Sequence, residues 1–480
     1  MATLLTNFSW KLGEKFITEF VGFFVSIVLA RILGPEAYGV VALVVVFTTV
    51  SQVFIDGGFN SALIQKKNAD DKDFSSVFFF SLGFSIFLYI VLFIAAPYIT
   101  EFYGSKYEEL TSVFRVLGVI LIIRAINAVQ TAYVQKRMMF KNFFYAKLVG
   151  SIISGIVGIT MAYMGFGVWS LVCQQLSAAI INTYTQYYIT RKLPILSFST
   201  GRLKSLLNFG SKVFASSLLI TVYKDLRALV IGKVYSASDL ALFNRGTIYP
   251  RMMVNNINVS LGTVLYPKMS LVQEDREKLK HYLRKSLRMS TFVLVPALFC
   301  LATVAEPLVR AMLTEKWIDC VPYLQIMCFV NMFQPLSNIN NQAIRASGRS
   351  GAILKIELIK KTIELITLLM VMHISVMAIV VNMLVMSASL NFLFVRPNSR
   401  YFGYTFIQQM KDIAPGFIMG GIMMAAVYPI NYLDIPDITK IVVEVICCFI
   451  VYITLARLSK NNDYFYVKDI LMNRVFKTRK

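Results

Sequence analysis

Long apolar runs recur along the whole chain, and short polar connections separate them. Each run has roughly the 20 residues that an α-helix needs to cross the hydrocarbon core of a bilayer. The pattern therefore predicts an all-α polytopic membrane protein with about 14 transmembrane helices. The predicted helices cover residues 12–33, 38–63, 74–97, 109–134, 144–164, 167–190, 207–234, 241–265, 290–313, 321–344, 352–372, 375–395, 410–430 and 438–457.

The polar connections alternate in charge. Connections that leave even-numbered helices are rich in Lys and Arg, as in residues 268–288, whereas those that leave odd-numbered helices are short and carry acids such as Glu101 and Asp434. Basic connections stay on the cytoplasmic side of a membrane. The alternation predicts that both termini are cytoplasmic. The basic tail from Ser459 either lies on the anionic inner leaflet or is solvated.

A helical hairpin motif occurs twice. The first copy, from Leu29 to Gln65, contains a Gly34-Pro35 break, and a weaker copy runs from Gly232 to Pro267. Helix 1 thus corresponds to helix 7, and an offset of six helices makes the two repeats parallel. We therefore predict an N-lobe of helices 1–6 (residues 1–200), a C-lobe of helices 7–12 (201–398), and helices 13–14 with a basic cytoplasmic tail (399–480).

Composition agrees with a membrane protein. Only 15% of the residues are charged, against about 25% in soluble domains. The net charge of +22 could indicate nucleic acid, but basic cytoplasmic connections explain it better, so no nucleic-acid partner is expected. The six cysteines show no CxxC spacing, which disfavours a disulfide framework or a metal site. No Walker A or HExxH motif is present, so neither an enzyme nor a cofactor is predicted.

Polar residues inside predicted helices mark a candidate cargo site, because charges in the membrane interior are costly. Several of them share one helix face, as Arg124 and Asn127 do on helix 4. Cations with amides suit an anionic, hydroxylated cargo. Alternatively, the amides bond neighbouring helices, and Lys360 and Lys361 either pair with Glu357 and Glu364 or snorkel to the cytoplasm. The candidates for a central substrate-binding cavity are Arg124, Asn127, Lys224, Asp225, Arg227, Arg251, Asn255, Gln334 and Asn338.

The hairpin motif also carries a family resemblance. LARILGPEAYGVVAL and VFIDGGFNSALIQ resemble the polysaccharide-transporter family, the Wzx-type flippases of the multidrug/oligosaccharidyl-lipid/polysaccharide exporter superfamily, and within it the WzxC/TuaB-like branch. Similar patterns follow at Asp225–Gly232, Asp239–Arg245 and Glu306–Val309. The resemblance covers roughly residues 10–400. Ser236 departs from it, where a glycine is usual.

The resemblance implies export of undecaprenyl-pyrophosphate-linked oligosaccharide across a bacterial inner membrane by alternating access, for O-antigen, capsule or exopolysaccharide. Polysaccharide polymerase and chain-length machinery are candidate partners, and helices 13–14 are expected to help accommodate the lipid tail. One alternative is a cation-coupled drug antiporter of the same superfamily, which would need acids such as Asp56 or Asp225. A polymerase or ligase would need a large external loop, and a scaffold would not need Arg124.

Overall fold

The chain is helical throughout the residues that the computed structural model describes, which are 2–104, 107, 109–191, 197–272, 275–347, 349–461 and 463–465. No β-strand occurs among them, so the predicted all-α class is confirmed. The α-helices are α1 (Ala2–Ile32), α2 (Pro35–Asp56), α3 (Phe59–Gln65), α4 (Asp71–Tyr103), α5 (Leu110–Gly118), α6 (Ile120–Lys136), α7 (Phe140–Tyr163), α8 (Val168–Thr190), α9 (Thr200–Val234), α10 (Ala237–Leu271), α11 (Arg276–Thr303), α12 (Ala305–Leu313), α13 (Val321–Met332), α14 (Gln334–Ala346), α15 (Ser350–Val371), α16 (Val376–Leu390), α17 (Val395–Phe402), α18 (Phe406–Val427) and α19 (Asp437–Leu458). Three 3-10 helices join them: η1 (Glu315–Cys320), η2 (Asn391–Phe394) and η3 (Tyr428–Tyr432).

These helices overlap the predicted apolar runs, but the structure divides four of the runs, 38–63, 109–134, 290–313 and 321–344, between two α-helices each, and it adds α17 between two predicted runs. Within the described residues, eight helical stretches are long and apolar enough to cross a membrane. The exact number of 14 stays a prediction that is consistent with the helices observed. The eight stretches are Pro35–Gln65, Asp71–Tyr103, Leu110–Lys136, Phe143–Tyr163, Arg276–Thr303, Val376–Phe402, Phe406–Tyr432 and Asp437–Leu458.

The chain divides into two compact units, Met1–Ala241 (unit 1) and Leu242–Lys480 (unit 2). In unit 1, α9 packs on α2 and α3, and α7 packs on both α1 and α8. In unit 2, α11 packs on α13 and α18. The predicted lobes are defined by the sequence repeat, whereas the two units are defined by contacts between residues in one conformation. The division into units therefore does not test the lobe boundaries, which stay a prediction.

The glycines of the hairpin motif allow the backbones of neighbouring helices to approach each other closely. Gly34 precedes α2, and Pro35 occupies its first turn, where a missing N–H costs nothing. A Cβ on Gly39 would lie 1.8 Å from the carbonyl oxygen of Ala237. Gly58 has a φ of +72° and faces the backbone of Gly210, where a Cβ would lie 2.1 Å from its carbonyl oxygen. Any larger residue would therefore push α2 and α3 away from their neighbours.

Charged side chains join several helices at the end of unit 1 where the basic connections lie. Asp70 and Asp73 form a capping box at the start of α4. The buried Asp73 carboxylate lies 2.8 Å from Lys66 Nζ and 3.4 Å from a terminal nitrogen of Arg202, and Arg202 also pairs with Asp70. Lys136 Nζ donates to a main-chain carbonyl at the end of α3. This cluster links α3, α4, α6 and the start of α9.

A fully buried amide network joins α14, α17 and α18 in unit 2. Asn340 Nδ2 donates to Gln409 Oε1 at 2.8 Å, and Asn398 Nδ2 donates to Asn340 Oδ1 at 2.7 Å. All three side chains are inaccessible to solvent. The network confirms, for these residues, the alternative that amides in apolar helices bond neighbouring helices. Lys361 likewise pairs with Glu364, at 3.2 Å, as one predicted alternative for that lysine required.

Candidate functional site

A polar cavity of about 210 Å³ lies inside unit 1, between α6, α7 and α8. Residues from three helices line it, and two of the predicted site residues, Arg124 and Asn127, are among them. The complete lining consists of Arg124, Asn127, Lys147, Gln175, Ala178, Ala179, Asn182 and Thr183.

The α6 wall of the cavity follows from helical spacing. Arg124, Asn127 and Thr131 recur at three and four residues and therefore share one face. Asn127 Nδ2 donates to Gln186 Oε1 of α8 at 2.8 Å, and Thr131 Oγ1 donates to Asn127 Oδ1 at 3.1 Å. These bonds hold the Asn127 carboxamide in place, so that the residue both joins two helices and lines the cavity.

The α8 wall combines polar and small residues. Gln175 and Asn182 are seven residues apart, which places them on the same face two turns from each other. Within the described residues, Asn182 Oδ1 is buried and accepts no hydrogen bond. Ala178 and Ala179 between them leave the space open. The α8 wall thus combines two polar side chains, Gln175 and Asn182, with small residues, and the Oδ1 of Asn182 packs against Gly150 of α7.

Two cationic side chains give the cavity lining its positive charge. Arg124 comes from α6 and Lys147 from α7, while no acidic residue belongs to the lining described. The carboxylate of Asp56, at the end of α2, attracts the Arg124 guanidinium. It also accepts hydrogen bonds from Gln52 Nε2 at 3.1 Å and Asn60 Nδ2 at 3.4 Å. Asp56 is thereby engaged, and the lining keeps an excess of positive charge.

The chemistry that this lining can perform is anion recognition. A guanidinium offers paired N–H donors that match a phosphate or a carboxylate, and an ammonium adds a second, less directional charge. A volume of about 210 Å³ equals roughly seven waters at about 30 Å³ each. The cavity therefore fits one anionic group of a larger molecule, with amides placed for neighbouring hydroxyls.

The other predicted site residues lie elsewhere. Lys224, Asp225 and Arg227 are on α9 in unit 1, where the Arg227 guanidinium lies 5.8 Å from the centre of the Tyr223 ring. The exposed Arg251 and Asn255 are on α10 in unit 2. Gln334 and Asn338, both half-buried, are on α14. None of these residues lines the unit 1 cavity, and their assignment to a substrate site stays a prediction.

Sequence reasoning missed two features. Lys147, which lies only a few residues into the predicted helix 144–164, is not among the predicted site residues, yet it lines the cavity. Glu444, in the middle of α19, was not selected although its side chain is completely buried. The signal for Glu444 was a single acid within the apolar stretch IVVEVICCFIV.

The sequence profile of a family described as "Polysaccharide biosynthesis protein" matches residues 28–322, more than half of the chain. The chain belongs to this family. The predicted resemblance to polysaccharide transporters is thereby confirmed. Together with the eight apolar helices, membership establishes a multi-pass membrane protein.

Curated relatives support the same placement. The succinoglycan biosynthesis transport protein ExoT of Rhizobium meliloti is 24% identical over 328 residues, which are 68% of this chain and 65% of ExoT. The teichuronic acid biosynthesis protein TuaB of Bacillus subtilis is 25% identical over 63% of each chain. The lipopolysaccharide biosynthesis protein WzxC of Escherichia coli is 23% identical over 69% of this chain and 68% of WzxC. The match spans just under two thirds of the length of ExoT and TuaB.

Solved structures share the fold. The lipid II flippase MurJ, in an inward closed conformation, has a TM-score of 0.76 at 14% identity and covers 96% of this chain and 99% of its own. An inward-facing multidrug resistance MATE family transporter of the MOP superfamily has a TM-score of 0.56 at 16% identity, over 85% of this chain and 94% of its own. At these identities the likeness concerns the fold alone.

Proposed function

We propose that this protein flips undecaprenyl-pyrophosphate-linked oligosaccharide across a bacterial inner membrane by alternating access, and that both its termini are cytoplasmic. The observation that carries the proposal is the unit 1 cavity, where Arg124 and Lys147 face amides in an otherwise apolar helical body. An anionic group on a hydroxylated cargo matches this lining. The function makes the protein a transporter of surface-polysaccharide precursors and not an enzyme.

The physical role of the cavity follows from its charges. Pyrophosphate resists leaving water, since an unpaired buried charge costs several kcal/mol. Arg124 and Lys147 replace part of its hydration with charge-assisted hydrogen bonds. Asn127 and Asn182 offer partners to sugar hydroxyls near the anion. The cavity is too small for the whole cargo, so we assign it the pyrophosphate or an acidic sugar group.

Named relatives support the class of cargo. ExoT carries "transport" in its name beside succinoglycan biosynthesis, and MurJ is a flippase of lipid II. TuaB and WzxC are named for the biosynthesis of teichuronic acid and lipopolysaccharide. On this basis we propose O-antigen, capsule or exopolysaccharide precursors as cargo, with polysaccharide polymerase and chain-length machinery as partners.

The drug-antiporter alternative fits the cavity less well. A cationic drug or a coupling cation needs an acid at its site, but no acidic residue belongs to the lining described for the unit 1 cavity, and the nearby Asp56 accepts hydrogen bonds from Gln52 and Asn60. The cavity therefore favours an anionic cargo.

The test is deletion of the gene in its native host, followed by extraction of lipid-linked glycans and an assay of the leaflet that holds them. We expect completed lipid-linked units to accumulate on the cytoplasmic side and surface polymer to be lost. Wild type, Lys67→Ala and Arg276→Ala should restore export, since both of these substitutions lie at exposed positions. The double variant Arg124→Ala/Lys147→Ala should not. Units that reach the outer leaflet in the deletion strain would overturn the proposal.

A further inference from the structure

Glu444 is a buried acid without a partner, far along the chain from the proposed cargo site. It lies on α19, and its side chain is 0% exposed. Within the described residues, neither of its carboxyl oxygens has a hydrogen-bond partner. An ionisable residue in a membrane helix marks a functional site by default. As a purely structural residue, Glu444 would lower stability, because a buried polar group without a hydrogen-bond partner is destabilising.

The position of Glu444 on the helix explains its burial. Among the described residues of α19, the buried ones are Glu444, Cys448 and Ala456, which recur at multiples of four and form one stripe. That stripe faces the rest of unit 2, since α19 packs on α11, α12 and α18. Other faces carry exposed Phe449 and Ile450, which suit lipid. Glu444 thus points into the protein, not into the bilayer.

The charged and titratable neighbours leave the carboxyl uncompensated. On α19, Lys440 interacts electrostatically with Glu444, but its Nζ donates to the carbonyl oxygen of Asn431 at 3.1 Å. On α12, Glu306 adds a negative charge and pairs with Arg310 at 3.0 Å. Cys300 of α11 and Cys448 of α19 also interact electrostatically with Glu444, and Tyr428 and Tyr432 lie on η3, which packs on α19 as well.

Charged groups that are partly exposed lie near the N-terminal end of α19. Glu444 is seven residues from Asp437, which is about 10 Å at about 1.5 Å per residue. Lys440 lies between them, and the Glu306–Arg310 pair is partly exposed beside them. An ionised carboxylate is far more costly to bury at this position than a neutral carboxylic acid. We propose that Glu444 is a proton-binding site, which holds a proton in the conformation described here and exchanges it with water at the Asp437 end of α19.

The test is infrared spectroscopy of the purified full-length protein in lipid nanodiscs, titrated from about pH 5 to about pH 9. A neutral carboxylic acid has a carbonyl band that a carboxylate lacks, and the band shifts in D₂O. We expect a pH-dependent band of this kind in wild type and in Glu306→Gln, and its loss in Glu444→Gln. A Glu444 band that stays constant over the whole range would identify a permanently neutral structural acid and overturn the proposal. A spectrum without any Glu444 band would overturn it equally.

A second measurement needs no variant, in case Glu444→Gln fails to fold. A hydrophobic carbodiimide modifies protonated carboxyl groups in membrane proteins, and peptide mass spectrometry locates the adduct. We expect modification of Glu444 that falls about tenfold or more across the titration. No adduct at Glu444 at any pH would contradict the proposal. Neither measurement requires cargo, so this inference and the proposed transport function can fail independently.

Discussion

Gly150 of α7 leaves room for the carboxamide of Asn182 on α8: a Cβ at position 150 would lie 2.4 Å from Asn182 Oδ1. No real contact of that kind is so short, so the glycine is needed for the cavity wall to keep its shape. The close approach also explains why α7 and α8 pack so extensively. Gly150 and Asn182 therefore act together in shaping the proposed anion site.

We predict that Gly150→Ala lowers transport while the protein still folds. The added methyl must displace Asn182, whereas alanine itself favours a helix over glycine by about 1 kcal/mol. Transport in proteoliposomes, normalised to folded protein, should fall about tenfold if one hydrogen bond to cargo is lost. Gly83→Ala is the matched control, because a Cβ on Gly83 would meet nothing within 4 Å. Equal activity of the two variants would show that Asn182 does not contribute.

Periodicity along single helices predicted much of this architecture. The apolar runs indicated the helices, and the spacing of Arg124 and Asn127 placed both on one face, where the structure finds them lining one cavity. The predicted break at Gly34-Pro35 corresponds to the start of α2, whereas the predicted helix 38–63 is interrupted at Gly57 and Gly58, between α2 and α3. Such features depend only on residues close in sequence, which is why one sequence suffices to find them.

Contacts between helices were not predictable in the same way. Lys147 lines the same cavity as Arg124 because of the position of α7 along α6 and α8. Gly150 accommodates Asn182 because of the faces that α7 and α8 turn toward each other. The periodicity of a single helix predicts neither of these contacts. Glu444 was missed for a related reason, since only the packing of α19 distinguishes a buried acid from one that reaches the membrane surface.

The transport rates of Arg124→Lys and Arg124→Ala should differ according to the N–H donors that each side chain keeps at position 124. Lysine keeps the charge but loses the planar pair of N–H groups that matches phosphate. A charge-assisted hydrogen bond contributes about 1.5–3 kcal/mol, so Arg124→Ala should lower the transport rate about tenfold to a hundredfold, and Arg124→Lys by less. Initial rates of glycolipid translocation test the order, with the exposed Arg276→Lys as the control. Full activity of Arg124→Ala would remove Arg124 from the site.

The Asp70–Asp73–Arg202 cluster should make stability depend on pH at the acid end. The hydrogen bond from Arg202, with that from the Asp73 backbone, lowers the pKa of Asp70 from 3.8 to about 2. A lowered carboxyl pKa stabilises the folded state above the ordinary value, and this contribution is lost as pH falls through about 2. Arg202→Gln should therefore reduce stability above pH 3.8 and flatten its acid dependence, as thermal unfolding at several pH values would show.

The control for this prediction is Lys204→Gln, which removes a positive charge from an exposed position two residues further along α9. Because Asp70 and Arg202 are partly exposed, salt should weaken the effect of Arg202→Gln. A Lys204→Gln variant with the same pH profile as Arg202→Gln would mean that net charge, and not the cluster, governs acid stability.

Asn340→Ala should destabilise unit 2 without affecting the cavity in unit 1. The substitution removes the donor to Gln409 Oε1 and the acceptor for Asn398 Nδ2. Asn398 Nδ2 keeps the backbone carbonyl oxygens of Asn340 and Phe394 as acceptors, so the buried group left without its partner is Gln409 Oε1, and we expect a loss of about 1–3 kcal/mol. The matched control is Asn382→Ala, whose half-buried amide donates one bond of 3.3 Å to Thr367, and which should cost about 1 kcal/mol or less. Thermal unfolding in detergent compares the two, and transport per folded molecule should stay at the wild-type level in both. Equal shifts in the unfolding temperature would show that the amide network does not act as a unit.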